Sequence, residues 1–412
     1  MLLETKTAGR SAVQQPQHYL AEFERFERTA SGHPVLQRLR NAAIARLAEI
    51  GLPGPRDEEW RFTNVAPLAA IPFALAAEAP PLPKVPAGAV ICTLLEALKR
   101  YPNLVEPHLA RHADYKSHAF VALNTAFLRD GLFVNIPKGV TVDQPIELRF
   151  APKAADATTA PPVHYRRNLV VLAEGSRATL AEQFTGPEQA HFTNAVTEIV
   201  LGAGAALDHY KVQREESGAF HFHALQVRQE RGTNFASHSI TLGGRWTRND
   251  VNAVLGDEGC ECTLNGLYMV GGDRLVDNHT RIDHARPRCA SHELYKGILD
   301  GSAHGVFNGK IFVHKDAQKT DAKQTNKTLL LSDDAVIDTK PQLEIYADDV
   351  KCTHGASIGQ LDEEGLYYLR SRGIDAASAR RLLTFAFAND IIERVKIEAL
   401  RDELQRAIAG GV

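Results

Sequence analysis

NLVVLAEG (residues 168–175), TEIVLGAG (197–204) and HALQVRQERG (223–232) are three short β-prone runs, each closed by a glycine. Those glycines are evenly spaced. Gly175 to Gly204 is 29 residues, Gly204 to Gly232 is 28, and Gly232 to Gly259 is 27. A period of this length, made of strands with almost no helical pattern, points to stacked coils rather than a sandwich of hairpins. Each coil buries its apolar side on its neighbours, and alternation in Leu169-Val170-Val171-Leu172 sends every second side chain inward. SITLGG and KIFVHKD continue the strand character, but the period is imperfect after Gly259. Periodicity thus favours a mainly β chain with a parallel β-helix over residues 116–358, without fixing it alone.

Working outward, the flanks read as helical. In residues 1–115, Phe23, Phe26, Val35, Leu36, Leu39, Ile44 and Leu47 recur at helical spacing, interrupted at Gly32-His33-Pro34. The connector Ala79-Pro80-Pro81-Leu82-Pro83-Lys84-Val85-Pro86 predicts an extended surface segment, and residues 93–101 predict a further helix. Residues 359–412 form the second helical region. Asp362, Glu363 and Glu364 open one helix, which Gly373 stops, and Asp375 caps the next. The latter carries Leu382, Leu383, Phe385, Phe387, Ile391 and Ile392, and a last helix follows with Leu400, Leu404 and Ile408. This surplus of apolar surface can cap the solenoid, dock a partner, or do both.

Composition bounds the function. The 412 residues carry a net charge of −3, which gives no electrostatic case for nucleic-acid binding. No apolar leader core appears in the first 20 residues and no run approaches a membrane span, so the expectation is a soluble cytoplasmic protein. Five cysteines without a CxxC fit reduced thiols better than a disulfide framework; Cys92 and Cys289 suggest no role. Gly202-Ala203-Gly204 resembles a dinucleotide loop, but Leu207 stands at the third glycine position. The run from Gly305 to Lys310 is one residue short of a phosphate loop, with Ile311 in place of Ser or Thr. Any ATP hydrolysis must therefore come from a partner, and the chain reads as a non-enzyme.

Three constellations carry chemistry. His221 and His223 would share one strand face, as a metal pair or as a solvated face. Cys260 and Cys262 would also share a face, as soft-metal or sulfur ligands or as small interior residues. Cys352 and His354 sit in PQLEIYADDVKCTHGASIGQLDEEGLYYLRSRGI (341–374), with Gly355 and Gly359 expected to end their strand. Thiolate and imidazole both ligate iron–sulfur clusters.

LEIYADDVKCTHGASIG with YLRSRGI, the stretch 291–332, and DEEWRFTNVAPL (57–68) together resemble the SufB/SufD family of iron–sulfur cluster assembly scaffolds. The likeness is closer to its SufD-like members, because no cysteine precedes Cys92. The resemblance implies a right-handed parallel β-helix between helical ends. It implies a SufB-like partner meeting it near Cys352 and His354, and a SufC-type ATPase docked on the C-terminal helices, for which Leu382, Leu383, Phe385 and Phe387 are candidates. A cluster, or iron entering it, would then be held transiently in the complex, with no cofactor stably bound to the isolated chain, which could self-pair as a homodimer. The alternatives are a β-helix polysaccharide lyase or hydrolase and a self-contained histidine-rich metalloenzyme.

Overall fold

At Gly175, Gly204, Gly232 and Gly259 the backbone is left-handed, with φ of 68, 68, 64 and 73°. These four glycines occupy one position repeated in successive coils, and their amides form a ladder: Gly175 N donates to Ala203 O and Gly204 N to Arg231 O, both at 2.8 Å. The repeat does not stop at Gly259. Arg288 (φ 58°) and Lys319 (φ 63°) take the same position in the next two coils, donating to Gln318 O at 2.9 Å and Asp349 O at 2.7 Å. The sequence period fails there because an L-residue has replaced glycine in a conformation glycine adopts at least cost.

The computed structural model describes residues 17–76, 82–152 and 160–410. Ala79, Pro80 and Pro81 of the connector lie outside the described residues, as does most of the N-terminal stretch read for a leader; residues 82–86 have no regular secondary structure, and Leu82 and Val85 are exposed. The chain winds about seven turns of a parallel β-solenoid. One sheet stacks Leu132–Ile136, Pro162–Leu172, His191–Leu201, Ala219–Gln229, Trp246–Leu255, Leu275–His284, His304–Val313 and Val336–Ile345. The other stacks Ile146–Phe150, Arg177–Gly186, Ala206–Glu215, Asn234–Thr241, Glu261–Val270, Ala290–Leu299, Asp321–Leu330 and Lys351–Gly359. Consecutive strands alternate between sheets, and each strand pairs in parallel with the one a coil away.

Alternation along the strands builds apolar cores both between the sheets and on their outer faces. Val170 and Leu172 point between the sheets, while Leu169 and Val171 point out toward the helix Leu94–Arg100. The N-terminal helices Gln17–Glu27 and Pro34–Ile50, with Ala119–Ala126, cover the first sheet through Phe192, Phe220, Phe222 and Trp246. The C-terminal helices Ala376–Ile392 and Glu398–Ala409 cover the second through Val212, Leu267, Met269 and Ile298. The expected cap at Asp375 is formed, and Asp362 and Thr93 cap their helices too. Asp362 accepts from Glu364 N and Gly365 N, Asp375 from Ser378 N, and Thr93 from Glu96 N.

The segment read as DEEWRFTNVAPL is a clasp laid across the first sheet. Trp60 packs on Phe120 and Phe222, with the Arg248 guanidinium 3.6 Å from its ring centroid. Arg248 is buried and bonds Asp250, Asp277 and the carbonyl of Glu59, while the Glu59 carboxylate reaches His279 and Asn308 a coil apart. Glu58 pairs with Lys340 near the end of the sheet. One short helical turn, Glu58–Trp60, thus ties several coils to the N-terminal helices.

The repeated left-handed position makes a prediction. Nothing lies within 4 Å of a Cβ added at Gly232, so Gly232→Ala tests backbone conformation alone. It is expected to cost about 1 kcal/mol, whereas Lys319→Gly is expected to leave stability unchanged or raised. Urea unfolding midpoints of the two variants check this.

Candidate functional site

Cys352 and His354 lie on Lys351–Gly359, the last strand of the second sheet. The strand continues through Gly355 to Gly359, so Gly355 does not end it as expected: a glycine in an edge strand meets no side chain that would clash, and the ladder to Asp321–Leu330 carries on across it. In register, Cys352 stacks on Ala322 and His354 on Gln324. Cys352 is half-buried beside Ile311, Val313 and Ala347, and His354 is exposed. Burial, reinforced by the nearby Asp321 carboxylate, pushes the Cys352 thiol up, so it is a neutral thiol at pH 7 until a metal or a positive group draws off its proton.

The setting of this pair matters more than its own chemistry. Both sheets end here with long strands, Val336–Ile345 and Lys351–Gly359, and among the described residues neither has a neighbour on its outer edge. At the opposite end the first sheet is closed by the antiparallel strand Val90–Thr93. Val336, Ile345, Tyr346 and Ile358 are all exposed at the open end. Free edge amides and carbonyls beside apolar side chains make a surface suited to another strand. Among the described residues no three His, Cys, Asp or Glu side chains form a group able to hold a metal ion, so Cys352 and His354 offer two donors.

Cys260 and Cys262 are not near this pair. Glu261–Val270 is three strands from Lys351–Gly359 in the same sheet, or roughly 14 Å at ordinary strand spacing. Both thiols are buried in the solenoid interior. Cys262 stacks on Phe235 and Ser291, and burial pushes its thiol well up. The side chain that meets Cys260 is Cys289, to which sequence reading assigned no role. Their 29-residue separation, one coil, was the available signal.

His221 and His223 do share a face, but it is the interior and not a solvated one. Phe222 between them points out into the helical core, which forces both imidazoles inward. There His221 Nδ1 lies 2.7 Å from Glu215, which also accepts from Thr193 and faces His191 at 3.4 Å. A second carboxylate, Glu182, accepts from His209 at 2.9 Å, Thr197 and Asn168, with His223 at 3.7 Å. Phe184 stands between the two groups, and burial lowers the Lys211 ammonium beside them to about 7. These glutamates and Lys211 carried no sequence signal, because an isolated charged residue in a strand reads as exposed.

Leu383, Phe385 and Phe387 are half-buried against the second sheet's outer core, and Lys296 donates to the Phe387 carbonyl while its ammonium lies over the ring. Leu382 is exposed, as are Tyr367 and Tyr368 on the preceding helix Glu363–Ser371. Those two tyrosines and the acidic residues 362–364 line an open hollow of about 740 Å³.

The comparisons with known proteins follow the same lines. Residues 154–387 match a family model described as "SUF system FeS cluster assembly, SufBD core domain", and residues 74–148 match "SufBD protein N-terminal region". The chain belongs to the SufBD family. It is 32% identical to the iron–sulfur cluster assembly protein SufD of Escherichia coli, over 94% of each chain. It is 31% identical to a SufBD family protein of Synechocystis over 91% of each, and 33% to the chloroplast protein ABCI7 of Arabidopsis thaliana over 71% of this chain and 62% of that one. The SufBD core match thus spans the stacked coils from the first full strand and runs into the helix Ala376–Ile392. No helix among the described residues is long and apolar enough to cross a membrane.

The interior histidines give this SufBD chain a pH dependence. Burial lowers His164, His221, His238 and His284 from 6.5 to about 4, so each stays neutral in the fold while the unfolded chain protonates it. The penalty is absent above pH 6.5, grows as pH falls, and is complete below about 4. For His191 and His279 burial is overcome by Glu215 and Asp277, their pKa is raised, and they act in the opposite sense. His108, His112 and His223 are lowered as well, so seven histidines act in this sense against two, and the thermal midpoint is expected to fall steadily from pH 6.5 to 4.5. A flat profile across that window would contradict the neutral assignment.

Proposed function

We propose that this chain is a scaffold subunit of an iron–sulfur cluster assembly complex, a SufD-like partner to a SufB-like chain. The observation that carries the reading is the open end of the solenoid: among the described residues two long strands lack outer neighbours, and one of them presents Cys352 and His354. A second β-helix of the same family can place its own terminal coil against these edges, satisfying the free backbone groups and burying Tyr346 and Ile358. Two donors from this chain fall short of the four that a cluster takes, and the partner's residues would complete the set. The cluster is cargo here, built and passed on. His354, the more exposed donor, suits the first contact with iron, and Cys352 loses its proton as the metal arrives.

A SufC-type ATPase is assigned to the exposed patch of Tyr367, Tyr368 and Leu382 on the C-terminal helices. Leu383, Phe385 and Phe387 connect that patch to the solenoid by packing on the second sheet. Movement of the helices on nucleotide binding would therefore be felt by the coils. The ATPase must bind nucleotide differently in its open and closed states for that work to be done. Family membership supports this reading over a polysaccharide lyase or a self-contained metalloenzyme, and the cytoplasm is the location we assign to such a complex.

Anaerobic reconstitution with iron and sulfide tests it, on the isolated chain and on the complex co-expressed with SufB-like and SufC-like partners. Visible cluster absorbance is expected in the complex and is expected to be lost with Cys352→Ala/His354→Ala. Absorbance that is unchanged in the double variant removes the site from this strand.

A further inference from the structure

In-register stacking puts position 260 directly beside position 289. Glu261 pairs with Ala290, and Ala290 N donates to Cys260 O at 2.9 Å. Adjacent strands about 4.8 Å apart bring two Cα atoms within the range that a disulfide spans. Both side chains point inward and are essentially inaccessible, at 0% and 1% exposure. Their sulfurs converge on one acceptor: Cys260 Sγ lies 3.1 Å from Asp257 O and Cys289 Sγ lies 3.2 Å from the same oxygen. Cys262, the partner that spacing suggested for Cys260, faces Phe235 and Ser291 instead.

We propose that Cys260 and Cys289 are a reversible dithiol–disulfide site, oxidised by a small peroxide. Two features beyond proximity suit it to this. The Cys289 sulfur beside it draws the Cys260 pKa down, to about 6, so of the two Cys260 gives up its proton more readily and is the attacking group. The same contact, with burial, pushes Cys289 up and keeps it a thiol. The turn above the pair is also the loosest rung of the left-handed ladder, Gly259 N to Pro287 O at 3.4 Å, with Arg288 strained at φ 58° beside it. A molecule of two oxygen atoms needs only a slight opening there.

The chemistry balances without another reactant. The Cys260 thiolate attacks one oxygen of hydrogen peroxide, the O–O bond breaks, and hydroxide leaves, giving a sulfenic acid. The Cys289 sulfur then displaces that hydroxyl, forming the S–S bond. Its proton goes out with the leaving oxygen as water. Two electrons from the dithiol have reduced the peroxide, and an external thiol reverses the step.

The test uses the full chain, purified reduced, titrated with stoichiometric hydrogen peroxide, then alkylated and mapped by peptide mass. The first product is expected to be a Cys260–Cys289 cross-linked peptide that dithiothreitol removes. In Cys289→Ser the cross-link is absent and Cys260 is trapped by dimedone as sulfenic acid, about tenfold more slowly at pH 7 because less of it is thiolate. Should the serine variants fail to fold, the wild-type map decides. Oxidation of Cys352 or Cys92 first, with no Cys260–Cys289 peptide formed, overturns the proposal, as does Cys260 passing to sulfinic acid without a bridge.

Discussion

Every coil of this protein is stacked in register on the one before it, and the remainder of the structure depends on that constraint. In-register parallel pairing fixes which side chains lie above one another at a spacing of about 4.8 Å. It places Cys289 on Cys260, His354 above Gln324, and one left-handed residue above the next at the same corner of each coil. It also means that the solenoid cannot close on itself. A barrel removes its edges, whereas stacked coils must end, and the final coil leaves a strand unpaired in each sheet.

The helical ends answer part of that problem. Helices on the outer face of each sheet bury both faces of the middle strands, which is why His191–Leu201 is buried along its whole length. Apolar contact alone would let such helices slide along a repetitive surface. The Glu58–Trp60 clasp fixes their position, since Arg248 is buried between two carboxylates and a tryptophan ring and has few equivalent places to go. Among the described residues, neither set of helices covers the outer edge of the last coil. The candidate site thus coincides with the two long strand edges left open at this end among the described residues, and the two facts have a common origin in the architecture.

Much of the fold was legible in the sequence because glycine marks a left-handed corner. The signal faded after Gly259, where Arg288 and Lys319 take that corner at an energetic cost that a sequence pattern does not display. The flanking helices were legible from apolar spacing and end signals: Asp375 caps as read, while Asp362, read as first-turn charge, is itself the cap. The site was legible only in part. Cys352 and His354 do fall on one strand at an exposed end, but that this end is open depends on which strands have neighbours, a property of the whole stack. The interior charges were hidden for a different reason. His221, His223, Glu182 and Glu215 sit on strand faces that, in an ordinary one-sided sheet, would meet water. Cys289 was missed because its partner lies one coil away rather than close in sequence.

Backbone amide exchange, on this chain alone and bound to a SufB-like subunit, addresses the open end directly. The account predicts that amides of Val336–Ile345 and Lys351–Gly359 exchange fast in the isolated chain and slow by about tenfold or more in the complex, while Ala219–Gln229 is already protected in both. Protection arising elsewhere, with these two strands exchanging as before, would contradict it.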